Sequence, residues 1–542
     1  MGSADDGADV LVVGAGIAGL SATLELLDAG RRVLLLDRDR PEAIGGLARE
    51  SFGGMFLVDT PEQRRAGIRD SEALALADWL SFAEFGADER WPRAWAEHYV
   101  SRCTAEVGDW LRAGGLRYFP VPNWVERGLY LPGNSVPRFH IVWGTGEALV
   151  QHLLDRIERH PRRAALTLRF GQRVERLLQQ GGAVVGVAGH AEGAEGAEGA
   201  EFEHHAGAVL LAAGGINGNL ARVRAHWHAD WGQPPARLLN GSHRYADGLL
   251  HDAVAAAGGC ITHLDRQWNY AAGVAHPRPR KPEHGLSLVP PRSALWLNWR
   301  GDRIGPMPLV TGYDTRDLVA RICAEPRAYS WQLMNRRIAL KELAVSGAEF
   351  NPSVRERRWL GFARDLLLGN RWLYREMLAG CPDFVQAPDL AGLVARMNAL
   401  QGDQAVELAR VRAGVEAYDA NVARGPALHN DEQLRRIAQL REWKGDRIRT
   451  CKPRPLLDPR AGPLIAVREH IISRKSLGGM QTDLASRVLC HAGQPIPGLL
   501  AAGEAAGFGG GGLHGLRALE GTFLGGCVLS GRIAGRSAAA QT

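Results

Sequence analysis

The chain has 542 residues, of which 45% are hydrophobic and 23% are charged, and its formal net charge is +6. This length is enough for two large domains or for one domain with a large insertion, and the composition is that of a soluble globular protein. No apolar run approaches the roughly 18 residues of a membrane helix, and the 65 lysines and arginines are spread along the chain without a basic arm, which argues against a nucleic-acid-binding protein.

The first predicted elements are a strand, a glycine-rich turn, a helix and a second strand. Val10–Val13 is a short apolar strand that leads into Gly14-x-Gly16-x-x-Gly19, where an apolar-periodic helix begins. In this motif the first glycine allows a tight turn, the second lets the backbone approach a pyrophosphate, and the third lets the helix pack closely on the strand. The second strand ends on Asp37, which is placed to bind a ribose hydroxyl. Together these residues predict a dinucleotide site.

A second glycine-rich stretch follows soon after the predicted strand Val33–Leu36. The pairs Gly45-Gly46 and Gly53-Gly54 flank a short segment of small and polar residues. A flat ligand can lie against such a backbone because no Cβ atom holds it away. Directly after a dinucleotide motif, this spacing favours contact with an isoalloxazine ring over the alternative of two ordinary turns.

The next part of the chain is predicted to be largely helical. Residues 60–115 have a helical pattern and are rich in tryptophan, and we interpret the indoles as core packing rather than as a stacking platform: Trp79, Trp91, Trp95 and Trp110. A further helix is predicted from Glu147 to Ile157. The strands Thr167–Phe170 and Gln172–Leu178 follow, and Val174 in the second could bring backbone to an adenine.

A low-complexity hairpin and another glycine pair come next. Ala-Glu-Gly is repeated three times between Gly189 and Glu201, which is typical of an exposed hairpin tip without chemistry. The strand Ala208–Ala213 then ends in Gly214-Gly215, which is again suited to contact with a cofactor.

The composition changes in the middle of the chain, where polar helices alternate with strand-like pieces and glycine becomes sparser. We predict that residues 271–463 form a second domain inserted into the first, which comprises residues 1–270 and 464–542. Near the C terminus the strand Gly498–Glu504 leads into a glycine-rich loop, and a final helix is predicted from about Leu524 to Ala540.

Several motifs occur in one order, and together they resemble the flavoprotein superfamily of soluble fumarate reductases and 3-ketosteroid dehydrogenases. Besides the dinucleotide motif with Asp37, these are GGLARESFGGM at 45–55, AAGG at 212–215, LGGMQTD at 477–483, GLLAAGE at 498–504 and HGLRALEGTFLGG at 514–526. The resemblance implies an α/β fold, with a Rossmann-like FAD-binding domain of the glutathione-reductase type and an inserted α+β cap domain that carries catalytic residues. It also implies transfer of a hydride between flavin N5 and a carbon β to a carbonyl or carboxylate.

The cofactor implied by the resemblance is FAD. Its contacts are expected at the glycine-rich turns, at two acids that bind ribose and at single small residues: Gly14, Gly16, Ala18, Gly19, Asp37, Gly45, Gly46, Ala48, Ser51, Gly53, Gly54, Val174, Gly214, Glu504 and Gly521. The loop at 45–55 contains no histidine, so we expect FAD to be bound without a covalent bond to the chain.

The resemblance also implies a proton carrier in the inserted domain. Fumarate reductases place an arginine there in a Thr-Arg-Asp context, which Arg316 matches, whereas ketosteroid dehydrogenases use a tyrosine in the same region, which Tyr313 could supply. An arginine anchors a carboxylate strongly, and a phenol can act as a base if its pKa is lowered. Both assignments stay open, as does the alternative that Arg316 is a surface residue paired with Asp314 or Asp317.

Three positions depart from the fumarate reductase pattern. Arg474-Lys475-Ser476 stands in place of His-His-Thr, and Leu516–Gly521 alters the Asn-Arg-Leu-Gly-Gly-Asn signature. Tyr270 takes the place of a substrate histidine and is thereby a candidate catalytic residue. Fumarate is therefore not expected as the substrate. The Tyr-Pro-Gly signature of ketosteroid dehydrogenases is absent as well, so these motifs do not indicate a steroid.

Positive groups are expected near the flavin. Lys475 and Arg517 could stabilise a developing enolate or the reduced flavin anion, and His514 could donate to a carbonyl, while each of the three has a structural role as its alternative. We hypothesise that Lys475, Arg316 and Tyr313 surround the reacting carbons.

The sequence therefore predicts an FAD-dependent dehydrogenase or reductase that acts on a carbon–carbon bond next to a carbonyl or carboxylate of a small molecule. The alternatives are a 3-ketosteroid dehydrogenase and a flavin-binding protein associated with RNA. The direction of the reaction is not encoded, because one site geometry serves both. The chain has no second nucleotide fingerprint, so electrons are expected to pass to or from an external partner.

The cysteines and the N terminus bear on metals and on location. The seven cysteines are scattered singly, without a Cys-x-x-Cys or Cys/His cluster, so we expect no zinc, iron–sulfur or attached haem site. Isolated reduced cysteines fit the cytoplasm. The first predicted strand begins within ten residues of Met1, which leaves no room for a secretory leader, so the expected location is the cytoplasm, with no membrane span.

Overall fold

The computed structural model of the protein describes residues 7–193, 198–305 and 312–542. These residues form the following strands: β1 Val10–Val13, β2 Val33–Leu36, β3 Gly54–Phe56, β4 Phe139–Ile141, β5 Leu166–Arg169, β6 Gln172–Gln180, β7 Ala183–Glu192, β8 Glu198–His205, β9 Ala208–Leu211, β10 Leu239–Asn240, β11 Ile261–Thr262, β12 Gln267–Ala275, β13 Gly285–Val289, β14 Leu295–Leu297, β15 Tyr329–Asn335, β16 Ala344–Val345, β17 Phe384–Ala387, β18 Leu464–Ser476, β19 Gly479–Met480, β20 Arg487–Leu489 and β21 Pro495–Ala501.

The same residues form the following α-helices: α1 Ile17–Asp28, α2 Gly46–Glu50, α3 Pro61–Arg65, α4 Glu72–Ala83, α5 Arg90–Arg102, α6 Trp110–Ala113, α7 Thr145–Glu158, α8 Leu220–Ala225, α9 Leu249–Ala256, α10 Thr315–Cys323, α11 Arg336–Glu342, α12 Pro352–Arg355, α13 Trp359–Leu368, α14 Arg371–Gly380, α15 Leu390–Gln401, α16 Leu408–Ala423, α17 Glu432–Leu440, α18 Lys444–Arg449 and α19 Thr522–Ala539. Within the described ranges, no helix combines the length and the apolar composition that crossing a membrane requires. A π-helical segment, Cys103–Asp109, joins α5 to α6.

The first sheet has six strands in the order β20-β21-β9-β1-β2-β5. Five of them are parallel, and β20 pairs antiparallel at the edge. Val10 and Val12 of the central strand β1 pack with α1 and α19 on one face. Leu11 and Val13 pack with the β6-β7-β8 sheet on the other face. A parallel strand covered on both faces reads as a continuous apolar run, which is how β1 was recognisable in the sequence.

The predicted elements of this part of the chain are confirmed, with small shifts at their ends. The helix predicted from Glu147 to Ile157 is α7, and the last helix is α19. Trp79 and Trp95 are each 1% exposed, so their indoles are core packing as expected. Strands β7 and β8 pair antiparallel, which confirms the hairpin, while residues 194–197 of its predicted tip lie outside the described residues.

The second sheet has eight strands and is organised on β18. This 13-residue strand pairs antiparallel with β12, β15 and β17, and parallel with β10. Its apolar core includes Trp296, Trp331 and Val467. The sheet takes strands from both sides of the predicted domain limits at residues 270 and 463, and those limits stay a prediction.

One carboxyl is enclosed in this second core without a partner. Glu469 lies in the middle of β18, opposite Ser330 of β15, and both residues are 0% exposed. Neither oxygen of the Glu469 carboxyl has a hydrogen-bond partner within the part of the chain that the structure describes. Burial raises the pKa of Glu469 well above its ordinary value. Burial therefore favours the neutral, protonated form of this acid.

We expect Glu469→Gln to change how stability depends on pH. Because the folded-state pKa is raised, the unfolded chain loses this proton first as the pH rises, and the free energy of unfolding falls by about 1.4 kcal/mol per pH unit from the unfolded pKa up to the folded one. Glutamine cannot ionise, so this fall in the free energy of unfolding should be absent from the variant. The variant should therefore gain stability relative to the wild type over the range above about pH 4.3, the ordinary pKa of a glutamate. Denaturant unfolding across that range measures it, with exposed Glu416→Gln as the control. Parallel pH curves for wild type and Glu469→Gln would contradict the expectation.

Candidate active site

A cleft lies along the edge of the first sheet where its parallel strands end. Residues at the ends of β1, β2, β9 and β21, or within two positions after them, line it: Gly14, Leu36, Asp37, Ala212 and Gly503. In open α/β sheets this carboxyl edge is where ligands bind. The cleft therefore lies where the dinucleotide motif predicts it.

The three glycines of the first turn each have a separate reason to be glycine. Gly14 has a φ of +102°, which side chains rarely adopt. A Cβ at Gly19 would lie 1.9 Å from the carbonyl oxygen of Gly14, so this residue must be small for α1 to pack on the turn. A Cβ at Gly16 would meet no protein atom within 4 Å, although Gly16 lines the cleft. Only Gly16 therefore keeps space free for a group inside the cleft, as a bound pyrophosphate requires.

The second glycine-rich stretch lies against the first. The backbone N–H of Gly45 donates to the Ala15 carbonyl at 3.1 Å, and the turn continues into the short helix α2. Both glycine pairs line the cleft, and so do all the other predicted cofactor residues except Gly19: Gly14, Gly16, Ala18, Asp37, Gly45, Gly46, Ala48, Ser51, Gly53, Gly54, Val174, Gly214, Glu504 and Gly521. The structure thus brings these residues together around one cavity that could hold FAD.

Asp37 and several other polar residues form one wall of the cleft. The Asp37 carboxylate accepts hydrogen bonds from the N–H groups of Ala15 at 2.6 Å and Asp39 at 2.7 Å. Arg38, which sequence reasoning missed, donates to Asp247 at 2.7 Å, and its guanidinium lies 4.3 Å from the ring centroid of Tyr245. Arg38 directly follows the predicted ribose acid, and that position was the available signal.

Two of the predicted catalytic residues in the cleft lining lie on strands of the second sheet. Strand β12 carries Tyr270, and β18 carries Lys475, which pairs in register with Trp268. Both Tyr270 and Lys475 line the cleft. The Tyr270 hydroxyl donates to the Glu520 carboxyl, and the Trp268 indole N–H donates to the same oxygen at 2.9 Å. The Lys475 ammonium lies 3.9 Å from the ring centroid of Phe523 and 5.7 Å from that of Tyr270.

Burial shifts the titration of these groups. It raises the pKa of Tyr270 well above its ordinary value, and the neighbouring Glu520 acts in the same direction. Burial lowers the pKa of Lys475 to about 8, against the opposing charge of Glu520. Burial also raises the pKa of Glu504 to about 7, although its carboxyl accepts the N–H of Ser476 at 2.9 Å. Groups that titrate near neutral pH beside a cleft are typical of functional sites.

Tyr313 and Arg316 are not among the residues that line this cleft. The Tyr313 hydroxyl donates to the side-chain carbonyl of Gln439 at 2.9 Å. Arg316 is 8% exposed, and its guanidinium lies 3.4 Å from the Asp230 carboxylate and 4.9 Å from the ring centroid of Trp231. The two side chains flank the start of α10 and reach different neighbours. Their catalytic roles stay a prediction.

The alternative interpretation of Arg316 as a surface residue paired with Asp314 or Asp317 is wrong, because Arg316 is buried and forms its ion pair with Asp230. The two acids have other partners as well. Asp314 caps α10 by accepting the N–H of Asp317 at 3.0 Å, and it also accepts from Arg517 at 3.0 Å. Asp317 pairs with Arg321 one helical turn later.

Arg517 and His514 also lie outside the cleft lining. Arg517 forms ion pairs with Asp314 and Glu84. His514 is fully buried, contacts the Thr522 hydroxyl at 2.7 Å and is stacked on Trp79. Burial lowers the pKa of His514 to about 3, so its ring is neutral.

Several lining residues were missed by sequence reasoning, and most belong to the apolar part of the cleft: Phe139, Ser346, Phe508, Glu520, Phe523 and Cys527. Glu520 carries the main chemical signal, since it is a lone carboxyl between the apolar residues of Ala-Leu-Glu-Gly-Thr-Phe. The next residue, Gly521, has a φ of +98° in the structure, so the turn that places Glu520 needs a glycine there.

Comparisons with known proteins identify the family and the fold of the chain. Residues 9–524 match the family described as FAD binding domain. The chain is 46% identical over 561 residues to a KsdD-like steroid dehydrogenase of Mycolicibacterium smegmatis, covering 98% of this chain and 99% of that one. The structure resembles 3-ketosteroid Δ1-dehydrogenase from Sterolibacterium denitrificans, with a TM-score of 0.69 and 18% identity over 99% of this chain and 100% of that one.

A second solved structure has the same fold. The open conformation of a flavocytochrome c3 fumarate reductase aligns with a TM-score of 0.68 and 21% identity, covering 98% of this chain and 78% of that chain. At these identities the two solved structures establish the fold, while the sequence matches establish the family. The chain is thus an FAD-dependent oxidoreductase with FAD as its cofactor, and it belongs to the FAD binding domain family together with the KsdD-like steroid dehydrogenases.

Proposed function

We propose that this oxidoreductase acts on the carbon–carbon bond next to the carbonyl of a steroid-like ring ketone, with Tyr270 and Glu520 moving the proton and Lys475 stabilising the enolate. The observation that carries the proposal is the cluster of these three side chains in the wall of the cleft whose other walls carry the glycine-rich loops. Oxidoreductases of this family act on carbon–carbon bonds.

The cofactor would be held by residues of the first domain. The backbone at Gly14 and Gly16 would bind the pyrophosphate, and Asp37 and Glu504 would bind ribose hydroxyls. The second glycine-rich stretch and Gly521 would lie against the ring. When bound, FAD supplies the acceptor or donor of the hydride.

Tyr270 is suited to relay a proton as a neutral phenol rather than to accept one as a phenolate. Its raised pKa keeps the phenol protonated, and its hydroxyl already donates to Glu520. As the substrate carbon releases its proton to the phenol oxygen, the phenol proton moves to the Glu520 carboxylate, so neither step needs a free phenolate. In the reducing direction the same two transfers run in reverse. The Trp268 indole N–H holds the Glu520 carboxyl in place through its 2.9 Å hydrogen bond.

Lys475 would supply positive charge where the enolate oxygen develops. Its ammonium lies beside the rings of Tyr270 and Phe523, in a buried site where a charge acts strongly. With a pKa of about 8, the side chain is mostly charged at neutral pH and loses its charge in mild alkali.

The apolar lining favours an uncharged ketone over a dicarboxylate. Phe139, Phe508 and Phe523 line the cleft. Arg316, the arginine expected to anchor a carboxylate, is paired with Asp230 instead. The relative from Mycolicibacterium smegmatis is called a steroid dehydrogenase, which supports the same substrate class. This proposal narrows the broader expectation of a carbonyl or carboxylate substrate.

The electron partner and the location complete the proposal. Since the sequence carries one dinucleotide fingerprint, a separate acceptor or donor would exchange electrons with the enzyme. The described cysteines are free thiols, and this supports a reducing compartment such as the cytoplasm.

Gly16→Val and Gly19→Ala should separate cofactor binding from folding. A side chain at Gly16 meets no protein atom but enters the cleft, so we expect Gly16→Val to fold and to lose its flavin absorbance. A methyl at Gly19 collides with the Gly14 carbonyl, so Gly19→Ala should lower the free energy of unfolding by about 2 kcal/mol. Flavin content and denaturant unfolding of the purified proteins measure both effects. Retention of wild-type flavin affinity by Gly16→Val would contradict the assignment.

Anaerobic reduction tests the substrate class and the proton carrier together. Adding a saturated 3-ketosteroid should bleach the flavin, whereas succinate should not. Because the phenol hydroxyl is the proposed carrier, Tyr270→Phe and Glu520→Gln should each slow bleaching by about a hundredfold or more with flavin still bound. The matched control is Tyr374→Phe, because the Tyr374 hydroxyl donates to Gln386 away from the cleft. Bleaching by succinate but not by the ketosteroid would contradict the proposed ketone substrate. Wild-type bleaching rates in both variants would contradict proton transfer through Tyr270 and Glu520.

The charge on Lys475 predicts a pH dependence. Deprotonation removes the positive charge as the pH rises through about 8, so the rate of flavin reduction should fall there in the wild type. Lys475→Arg should keep its rate to higher pH, because a guanidinium stays charged. Lys475→Met should be slower by about a hundredfold at neutral pH and lose this pH dependence. A profile that is the same in wild type and Lys475→Met would show that another group titrates.

A further inference from the structure

Helix α13 presents its apolar side to the outside of the protein. None of its residues is buried, and its exposed positions are 359, 360, 363, 364, 367 and 368. This spacing of one, three, one, three and one residues defines a single helix face. Leu360 is 89% exposed on that face, and Leu367 and Leu368 are each 69% exposed. A surface helix ordinarily turns such a stripe toward the core.

The neighbouring tryptophans extend this surface, which we call the α13 face: Trp359, Leu360, Leu367, Leu368 and Trp372. Its five residues account for half of the large hydrophobic side chains that are exposed in the described part of the chain. Single exposed hydrophobic residues are normal, whereas a contiguous group marks an interaction site.

Aromatic packing holds the α13 face in place from behind. Trp359 is stacked on Trp143 with ring centroids 3.9 Å apart. Phe362 packs against Phe119 at a centroid distance of 5.2 Å. These contacts anchor the helix to the body of the protein, so the leucines are presented by a rigid element rather than by a loose loop.

The charges around the α13 face indicate which kind of surface it can bind. Residues 355–376 contain six arginines and three acids, which leaves a net charge of +3. Arg371 and Arg375 are exposed beside Trp372. Two copies of the chain meeting through this face would bring like charges together, which is unfavourable. An anionic surface with an apolar interior matches both the leucines and the arginines.

We propose that the α13 face binds the surface of a membrane that contains anionic lipids, with the helix lying in the interfacial plane. Leucines and tryptophans would enter the boundary between head groups and acyl chains, and the arginines would contact lipid phosphates. This attachment is separate from the catalytic cleft and does not depend on the substrate assigned above.

Co-sedimentation of the full-length, FAD-loaded protein with vesicles tests the proposal. The wild type should sediment with vesicles of phosphatidylcholine and phosphatidylglycerol, and less with phosphatidylcholine alone or at high salt. The triple variant Leu360→Ser, Leu367→Ser and Leu368→Ser should bind about a hundredfold more weakly, because apolar burial is lost. The matched control changes three other exposed leucines, Leu428, Leu457 and Leu484, to serine and should bind like the wild type.

The arginines are tested separately. Arg371→Gln with Arg375→Gln should weaken binding to the anionic vesicles and make it less sensitive to salt. Thermal melting of each variant ensures that the fold is kept, and light scattering gives its mass.

Three results would overturn the proposal. One is a wild type that stays in the supernatant with anionic vesicles. Another is a folded triple leucine variant that binds like the wild type. The third is a wild-type dimer that the triple variant converts to a monomer without any vesicle binding, which would assign the α13 face to a contact between copies.

Discussion

The site depends on one contact between the two sheets, the hydrogen bond from the Ser476 N–H to the Glu504 carboxyl. Ser476 is the last residue of β18 in the second sheet, and Glu504 follows β21 in the first sheet. Ser476 is buried and Glu504 is partly buried, so the bond is shielded from much of the solvent and the loss of either partner is costly. It fixes the end of β18 at the glycine-rich edge and thereby holds Lys475, the preceding residue, in the wall of the cleft.

Burial has different consequences in the two parts of the molecule. Around the cleft, Tyr270 and Trp268 both donate to Glu520, so this half-buried carboxyl is paired and held in one position. In the second core, Glu469 has neither a donor nor a cation beside it in the described structure, and its pKa rises. A polar network whose members are all paired is held in one geometry, whereas an unpaired buried acid only costs stability at higher pH.

The glycine-rich side of the cleft could be predicted from the sequence, and much of the side that carries Tyr270 and Glu520 could not. Gly14, Gly16 and Asp37 follow strand ends, and parallel strands bring their carboxyl ends to one edge. Tyr313 and Arg316 were predicted from a local motif, but α10 directs their side chains to Gln439 and Asp230. A local motif records which residues are near each other in the chain, and the docking of a helix decides where their side chains reach.

The sequence by itself determined the strand, turn and helix at residues 10–28, because glycine conformations and apolar periodicity are local properties of a chain. Only the tertiary structure decided that Tyr270 meets Glu520, which lies 250 residues away. The pairing of β12 with β18 shifts register between Trp268 and Asn269, and such a shift changes which face a side chain points to. The face to which a side chain points therefore depends on the partner strand and its packing. Neither can be read from the pattern of residues within one segment.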